Sequence, residues 1–388
     1  MALKLTRKER VQRIIEGKDV DYLPSNLTFA DRTRDKEVSQ ALGLSSEDEL
    51  EDYLDNHLML MVTLHDKPLF FHSVRPEMER LKKMGYCIPD WEDKVVYDSW
   101  GLGIKVDFKC FFAAYPPLGG RDYKREIEFM PPDVNKDIFG KSFEEAVRLY
   151  STPDIEKEGN FSEMEAAIKE DPDDKFVWPT GYLGIYERAY SLVGWEKFME
   201  YMLLKPTVIE ELLEKITDYK VEVAKRKVKL GARVGHHGDD LGTNVGPFFS
   251  KKDFRRMLLP RIKKVFDVYN DANIPIWIHS CGNITDYLPD LIDIGLRVLE
   301  PVQPVMDIEY LKKEFGKDLV FYGGVDTQYL MPFGTPEEVR KEARRTIRVL
   351  GKGGGLIMGT AQEIMHDVPI ENIKALVETM REERERAM

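Results

Sequence analysis

The sequence predicts an α/β chain folded as a (β/α)8 TIM barrel with an inserted capping region, one domain over residues 1–388. Three observations predict it. From about residue 172, short β-prone runs alternate with helical stretches about six times. Such alternation, with right-handed crossovers, makes a barrel or a doubly wound sheet. A chain of 388 residues suits one large barrel with insertions. Polar residues of catalytic type also gather where the β-prone runs end, the face on which such barrels carry their chemistry.

The elements follow in order. "MALKLTRKERVQRIIEG" reads as an amphipathic helix and is too charged for a secretory signal. "YLPSNLTFAD" (22–31) and a run near 57–64 supply the first two strands. Residues 66–170 are irregular and rich in aromatics and prolines, with "VVYDSWGLGIKV" reading as a hairpin; this is the expected insertion at the barrel mouth. "KFVWPTG" is a strand, followed by helices through 195–230; "ARVGHHGDD" is the next strand with its exit. "SKKDFRRMLLPRIKKVFDVYNDAN" reads as one long helix opened by Ser250. "IPIWIHS" is a strand and "ITDYLPDLIDIG" a helix ended by Gly295. "RVLEP", "LVFYGGVD" and "GLIMGT" are strands, with helices "DIEYLKKEFG", "GTPEEVRKEARRTIRVLG" and "PIENIKALVETMREE" between and after them. Thr335, Pro336 and Glu338 form a capping box before the second of these helices.

Composition excludes several classes. A net charge of −12 disfavours a nucleic-acid surface, and the longest apolar run, "LMLMV", is far short of a membrane span. Three cysteines are too few for a disulfide framework, so a reducing, cytoplasmic setting is expected. Cys87 and Cys110 read as ordinary thiols.

The strand exits carry Asn26 and Asp31, then His237, Asp239 and Asp240, then His279 and Cys281, then Glu300 and Gln303, then Asp326, and last Gln362 and Glu363. Six such exits in register predict one pocket. Each has a plainer reading. One of Asp239 and Asp240 caps the next helix, and Asp240 is the one expected to face the pocket beside His237. Glu300 fits a turn before Pro301, and Asp326 fits a loop anchor. "KGGG" (352–355) precedes a strand, so it is not a strand-to-helix phosphate loop. His279 and Cys281 are harder to explain as structure: residues two apart in an extended segment point the same way, as metal ligands must.

These residues also carry a family likeness. "HSCGNITDYLPDLIDIGLRVLEPVQP", "FYGGVDTQYLMPFGTPEEVR" and "GGGLIMGTAQEIMHDVPIENIKALVE" resemble the uroporphyrinogen decarboxylase superfamily over about 175–380, closest to its cobalamin-dependent methyltransferase and decarboxylase-like branch. The resemblance implies the barrel and, in the methyltransferases, zinc held by an H-x-C pair and a later cysteine. His279 and Cys281 match the pair; the third place falls on Gln362, with Glu363 beside it as the carboxylate that takes over as ligand. Classical decarboxylases carry an arginine-containing segment after the first strand, where this chain reads "LPSNLTFADRT".

The resulting expectation is a methyltransferase working between a small methylated substrate and cobalamin on a separate corrinoid protein. Asp240, His237 and Glu300 are the expected catalytic groups, and Asn26, Asp31, Trp178, Gln303 and Asp326 the substrate-binding ones. His279, Cys281 and Glu363 are the expected zinc ligands. Histidine, thiolate and carboxylate make a harder set than one with two thiolates, which favours an O- or N-methyl substrate. A metal-independent decarboxylase and a non-catalytic ligand-binding barrel are the alternatives.

Overall fold

The computed structural model describes all residues except 1–3, 31, 70–74, 106–111, 121–125, 173 and 386–388. Its strands are β1 (Leu58–Met61), β2 (Cys87–Asp90), β3 (Val95–Asp98), β4 (Gly103–Lys105), β5 (Phe112–Tyr115), β6 (Phe176–Pro179), β7 (Gly235–Gly238), β8 (Ile276–His279), β9 (Leu296–Val302), β10 (Val320–Val325) and β11 (Leu356–Thr360). Strands β7 to β11 form a five-stranded parallel sheet, and β1 pairs in parallel with β6. The segment around Ser25 joins the two groups, bridging Asn56 on one side and Met358 on the other. It bridges again between Phe29 and Ile364, and Pro24, which has no N–H to donate, accepts the Met358 N–H through its carbonyl. The ring thus has eight parallel segments, as expected of a TIM barrel.

At one seam of the ring no backbone bridge is formed among the described residues. Between β6 and β7 side chains replace backbone pairing. The His236 ring lies 3.2 Å from the Thr180 hydroxyl and accepts the Gly181 N–H at 3.3 Å. The Lys227 amine, buried on the helix Pro206–Leu230, donates to the Pro179 and Thr180 carbonyls at 3.0 and 2.8 Å. Burial pushes the Lys227 pKa down to about 7, with Asp66 opposing and Lys220 assisting. These bonds satisfy carbonyls that a neighbouring strand would otherwise take.

Alternate strands fill the interior in layers. Trp178, Trp277 and Tyr322, with Asn26 of the first segment, make one layer. The indoles stack at 4.4 Å between centroids, Trp277 lies 5.7 Å from Tyr322, and the Asn26 amide reaches the Tyr322 hydroxyl at 3.4 Å. Such a stacked pair adds about 0.5–1.5 kcal/mol beyond its burial. His279 lies two residues beyond Trp277 on the same face of β8, so it stands one layer higher, at the mouth.

The chain between β1 and β6 builds a four-stranded antiparallel sheet in the order β2–β3–β4–β5, which contains the expected hairpin as β3 and β4. It is anchored through Arg188 on the helix Tyr186–Val193. That guanidinium is fully buried, lies 3.4 Å from Asp66 and 3.3 Å from Asp98, and stacks 4.3 Å above Trp100. Leu102 and Ile104 of this sheet pack against Leu183 and Tyr182, just beyond β6.

Helix boundaries differ from the sequence reading where proline intervenes. The long helix from Ser250 contains a widened π turn, Phe254–Leu258, which ends two residues before Pro260, whose missing N–H cannot continue the regular ladder. "ITDYLPDLIDIG" begins as a 3-10 turn and becomes helical only over Leu288–Asp293, with Pro289 in its first turn. The Thr335–Glu338 capping box is present, and Val339, Ala343, Ile347 and Leu350 bury the face expected of that helix.

Candidate metal centre

Strand register assembles the site. Gly238 of β7 pairs with His279 of β8, so two residues further on Asp240 meets Cys281. The Asp240 carboxylate accepts the Cys281 N–H at 2.8 Å and lies 3.5 Å from His279 Nε2. Cys281 Sγ is 3.7 Å from the same nitrogen. One ligand atom from each of Asp240, His279 and Cys281 falls within 4.8 Å of the others. The two measured separations from Nε2 suit the edge of a zinc tetrahedron, about 3.3–3.8 Å for bonds of roughly 2.0–2.3 Å. Behind the ring, Nδ1 contacts Glu300 at 2.9 Å, and Trp277 Nε1 donates to the same carboxylate at 3.3 Å. A carboxylate on the far nitrogen fixes tautomer and ring orientation, as behind many metal-bound histidines.

The electrostatics favour a cation here. Burial alone would lower the His279 pKa, but Glu300, Asp240 and Cys281 around the ring hold it well above the usual value. Asp240 stays below the usual carboxylate range: burial opposes this, and His279 and the Cys281 N–H outweigh it. Burial, then the Asp240 charge, pushes the Cys281 thiol up to about 11. A divalent ion would replace the proton on His279 and favour the thiolate. The donor set therefore fits zinc, with Asp240 in the place expected for Glu363.

Glu363 faces the same pocket without joining the three. Burial raises its pKa, with Glu300 and Asp240 adding and His279 opposing. Its neighbour Gln362 places its amide nitrogen 2.6 Å from Cys281 Sγ.

Other expected site residues are placed differently. His237 points out of the barrel, against Phe266 and 3.4 Å from Asp239. It shares that face with Gly235, where an added Cβ would lie 2.4 Å from Tyr269 of the outer helix. His236, its neighbour, is the inward histidine. Asn26 and Trp178 belong to the floor layer, only 3 and 4 % exposed. Gln303 accepts the Gly282 N–H at 2.9 Å and so holds the loop after β8. Asp326 accepts the N–H groups of Gln328, Tyr329 and Leu330, anchoring its own turn. Asp31 lies outside the described residues.

Asp239 is the helix cap of the acidic pair, but the helix it caps lies before β7 in the chain and not after it. Its carboxylate accepts the N–H groups of Ile185, Tyr186 and Glu187 at 3.0, 3.0 and 2.8 Å, at the start of the helix Tyr186–Val193. Asp239→Ala should cost roughly 2–3 kcal/mol in chemical denaturation, since three buried N–H groups lose a charged acceptor. A cost below half a kilocalorie would refute the capping role.

Two residues at the site carry no sequence signal. Glu187 is a buried acid whose pKa is raised well above normal by burial and by Asp240 and Asp239. Tyr182 sets its ring 6.3 Å from that of His279.

A sequence model described as "Uroporphyrinogen decarboxylase (URO-D)" matches residues 149–383, the larger part of the chain and the part that carries this site. The chain belongs to the uroporphyrinogen decarboxylase family. Within the family it is 25% identical over 194 residues to the methylated-thiol–coenzyme M methyltransferase of Methanosarcina mazei, covering 50% of each chain. It is 25% identical over 197 residues to the methylcobamide:CoM methyltransferase MtaA of Methanosarcina barkeri, covering 51% of this chain and 56% of that one. A uroporphyrinogen decarboxylase of Chlorobaculum tepidum is 28% identical over 194 residues, covering 49% and 52%. The chain thus spans about half the length of the curated relatives it matches. The solved structure of a methyltransferase from Methanosarcina mazei superposes with a TM-score of 0.61 at 17% identity, over 98% of this chain and 99% of that one, and shares the fold. Among the described residues, no helix is long and apolar enough to cross a membrane.

Proposed function

We propose that this protein is a methyltransferase that moves a methyl group between a small O- or N-methylated substrate and cobalamin carried by a separate corrinoid protein. The convergence of Asp240, His279 and Cys281 at the barrel mouth, backed by Glu300, carries this reading. Two of the relatives named above are methyltransferases, one of them acting on a methylcobamide. The three side chains would hold zinc, which supplies Lewis acidity toward the heteroatom bearing the methyl group.

The chain's own residues do the rest. Glu300 holds His279 with Nε2 toward the pocket. Asp240 orders the Cys281 backbone, and Gln303 the glycine after it. With a cobalt(I) corrinoid as methyl acceptor, the heteroatom would keep the electron pair of its broken bond to the methyl carbon. That atom then takes a proton from the Glu363 carboxyl, which burial keeps protonated at a higher pH than usual. The antiparallel sheet between β1 and β6 is the element placed to shape the rim for the partner.

Purified protein should contain about one zinc per chain. Mixed with cob(I)alamin and aryl methyl ethers or N-methyl donors, it should form methylcobalamin, read from the visible spectrum. Asp240→Asn, which keeps an acceptor for the Cys281 N–H, should slow this by roughly two orders of magnitude. If no donor, including methylated thiols, gives enzyme-dependent methyl exchange while a carboxylated compound releases carbon dioxide, the decarboxylase reading replaces this one.

A further inference from the structure

A cavity of about 300 Å³ lies at the opposite end of the barrel. Its walls come from the segment Gly17–Val20, from Arg297 of β9, and from the loops entering β10 and β11. All three strands begin here, so the cavity is remote from the mouth where His279 stands.

Three cations line it, Lys18, Arg297 and Lys317, with the carboxylate Asp19; Lys18 is paired with Glu16 at 2.6 Å, and the Asp318 carboxylate acts on Arg297 from beyond ion-pair distance. Arg297 is half-buried. Its Nε and Nη1 donate to the carbonyls of Ile15 and Asp318 at 2.7 and 2.6 Å. Both acceptors are neutral, and Nη2 donates to nothing among the described residues. No carboxylate there lies within ion-pair distance of Arg297 or of Lys317. Two deeply buried guanidinium groups contrast with this: Arg10 lies against Asp21, and Arg188 against Asp66 and Asp98. Gly17, at φ +71°, lets the chain close over Arg297; a Cβ there would lie 3.0 Å from Nη2.

The loop entering β11 adds donors. Gly353, Gly354 and Gly355 all have positive φ, at 73°, 84° and 78°. A Cβ at Gly353 or Gly354 would meet nothing within 4 Å, so backbone conformation rather than space calls for glycine. The Gly354 N–H is bonded to Gly351 and its carbonyl to Lys312. The N–H groups of Gly353 and Gly355 have no acceptor among the described residues.

We propose that this cavity binds a small phosphate-bearing molecule. A guanidinium and the Lys317 ammonium, neither in an ion pair, the Lys18 ammonium shared with Glu16, and free backbone N–H groups on one wall match the several oxygens of a phosphate. Asp19 is placed to accept from a hydroxyl on the same ligand. The volume sits at the lower end of small-molecule pockets, which suits a sugar phosphate and excludes a dinucleotide. The site differs from a strand-to-helix phosphate loop, because its glycines precede a strand.

Isothermal titration calorimetry on the full chain at physiological salt tests this, with inorganic pyrophosphate and ribose 5-phosphate as probes and ribose as the uncharged control. Saturable binding of at least one phosphate probe, and none of ribose, is expected. Lys317→Glu changes an exposed side chain and should weaken binding at least tenfold without lowering the melting temperature. Arg297→Gln should do the same or more. His279→Ala, at the other end of the barrel, should bind as wild type. The proposal is overturned if neither phosphate probe binds saturably at millimolar concentration. Unchanged binding by Lys317→Glu and Arg297→Gln, or loss only in His279→Ala, overturns it as well.

Discussion

His279→Ala should strip the protein of zinc and lower methyl transfer by roughly three orders of magnitude or more, because the ring is the vertex nearest to both other ligands. Nε2 stands 3.5 Å from Asp240 and 3.7 Å from Cys281, so its loss leaves a thiol and a carboxylate that no third donor among the described residues joins. A graded companion separates this from simple damage. Glu300→Gln keeps the shape of the residue behind Nδ1 but removes its charge, and should weaken zinc binding by about 10–100-fold without abolishing it. Elemental analysis and competitive chelation read both effects. A His279→Ala protein that keeps its full zinc content would place the ion elsewhere and sink the assignment.

The second large effect is on stability. Arg188→Met should cost about 3–5 kcal/mol in chemical denaturation, since it leaves Asp66 and Asp98 buried without their cation. Both carboxylates are almost wholly enclosed, so water cannot replace the guanidinium. The pH dependence supplies a check. Burial already pushes Asp98 up to about 6 while Arg188 and the N–H groups of Leu102 and Trp100 pull it down. Without Arg188 that pKa rises further. A carboxyl raised in the folded state contributes stability below its unfolded pKa and loses it as pH rises through the folded value. The deficit of Arg188→Met relative to wild type should therefore shrink at pH 5 and be largest at pH 8. Equal deficits at both would mean that the arginine acts through packing alone.

Much of the barrel was legible because its signals are local. Thr335 and Glu338 announce a helix start within four residues, and the alternation after 172 needs no partner to be read. The H-x-C pair was legible for the same reason: strand periodicity alone puts both side chains on one side. Register was not legible. Nothing local says that Gly238 pairs with His279, and that pairing brings Asp240 rather than Glu363 to the histidine. The doublet His236–His237 shows the same limit, because period two requires one inward histidine without saying which. The outer helix carrying Phe266 and Tyr269 claims the face on which His237 lies. Asp326 went the other way, its carboxylate turning back on its own loop. Glu187 sits on a helix whose sequence looks like packing, and only its approach to Asp240 gives it meaning.

The seam between β6 and β7 gives the barrel a feature that closed sheets lack, namely two edges. Five neighbouring contacts around the ring are backbone ladders and the two beside Ser25 are backbone bridges, whereas this one is held by the tips of Lys227 and His236. Local opening costs least where ladder bonds are missing, so amide hydrogen exchange should be distributed unevenly around the wall, with its weakest protection along this line. The Lys227 amine gives up its proton near neutrality, far below an ordinary lysine, so the latch is held by an amine whose charge is itself variable. The barrel is in this sense a rolled ribbon with a buttoned edge, and its breathing has a fixed place on the circumference.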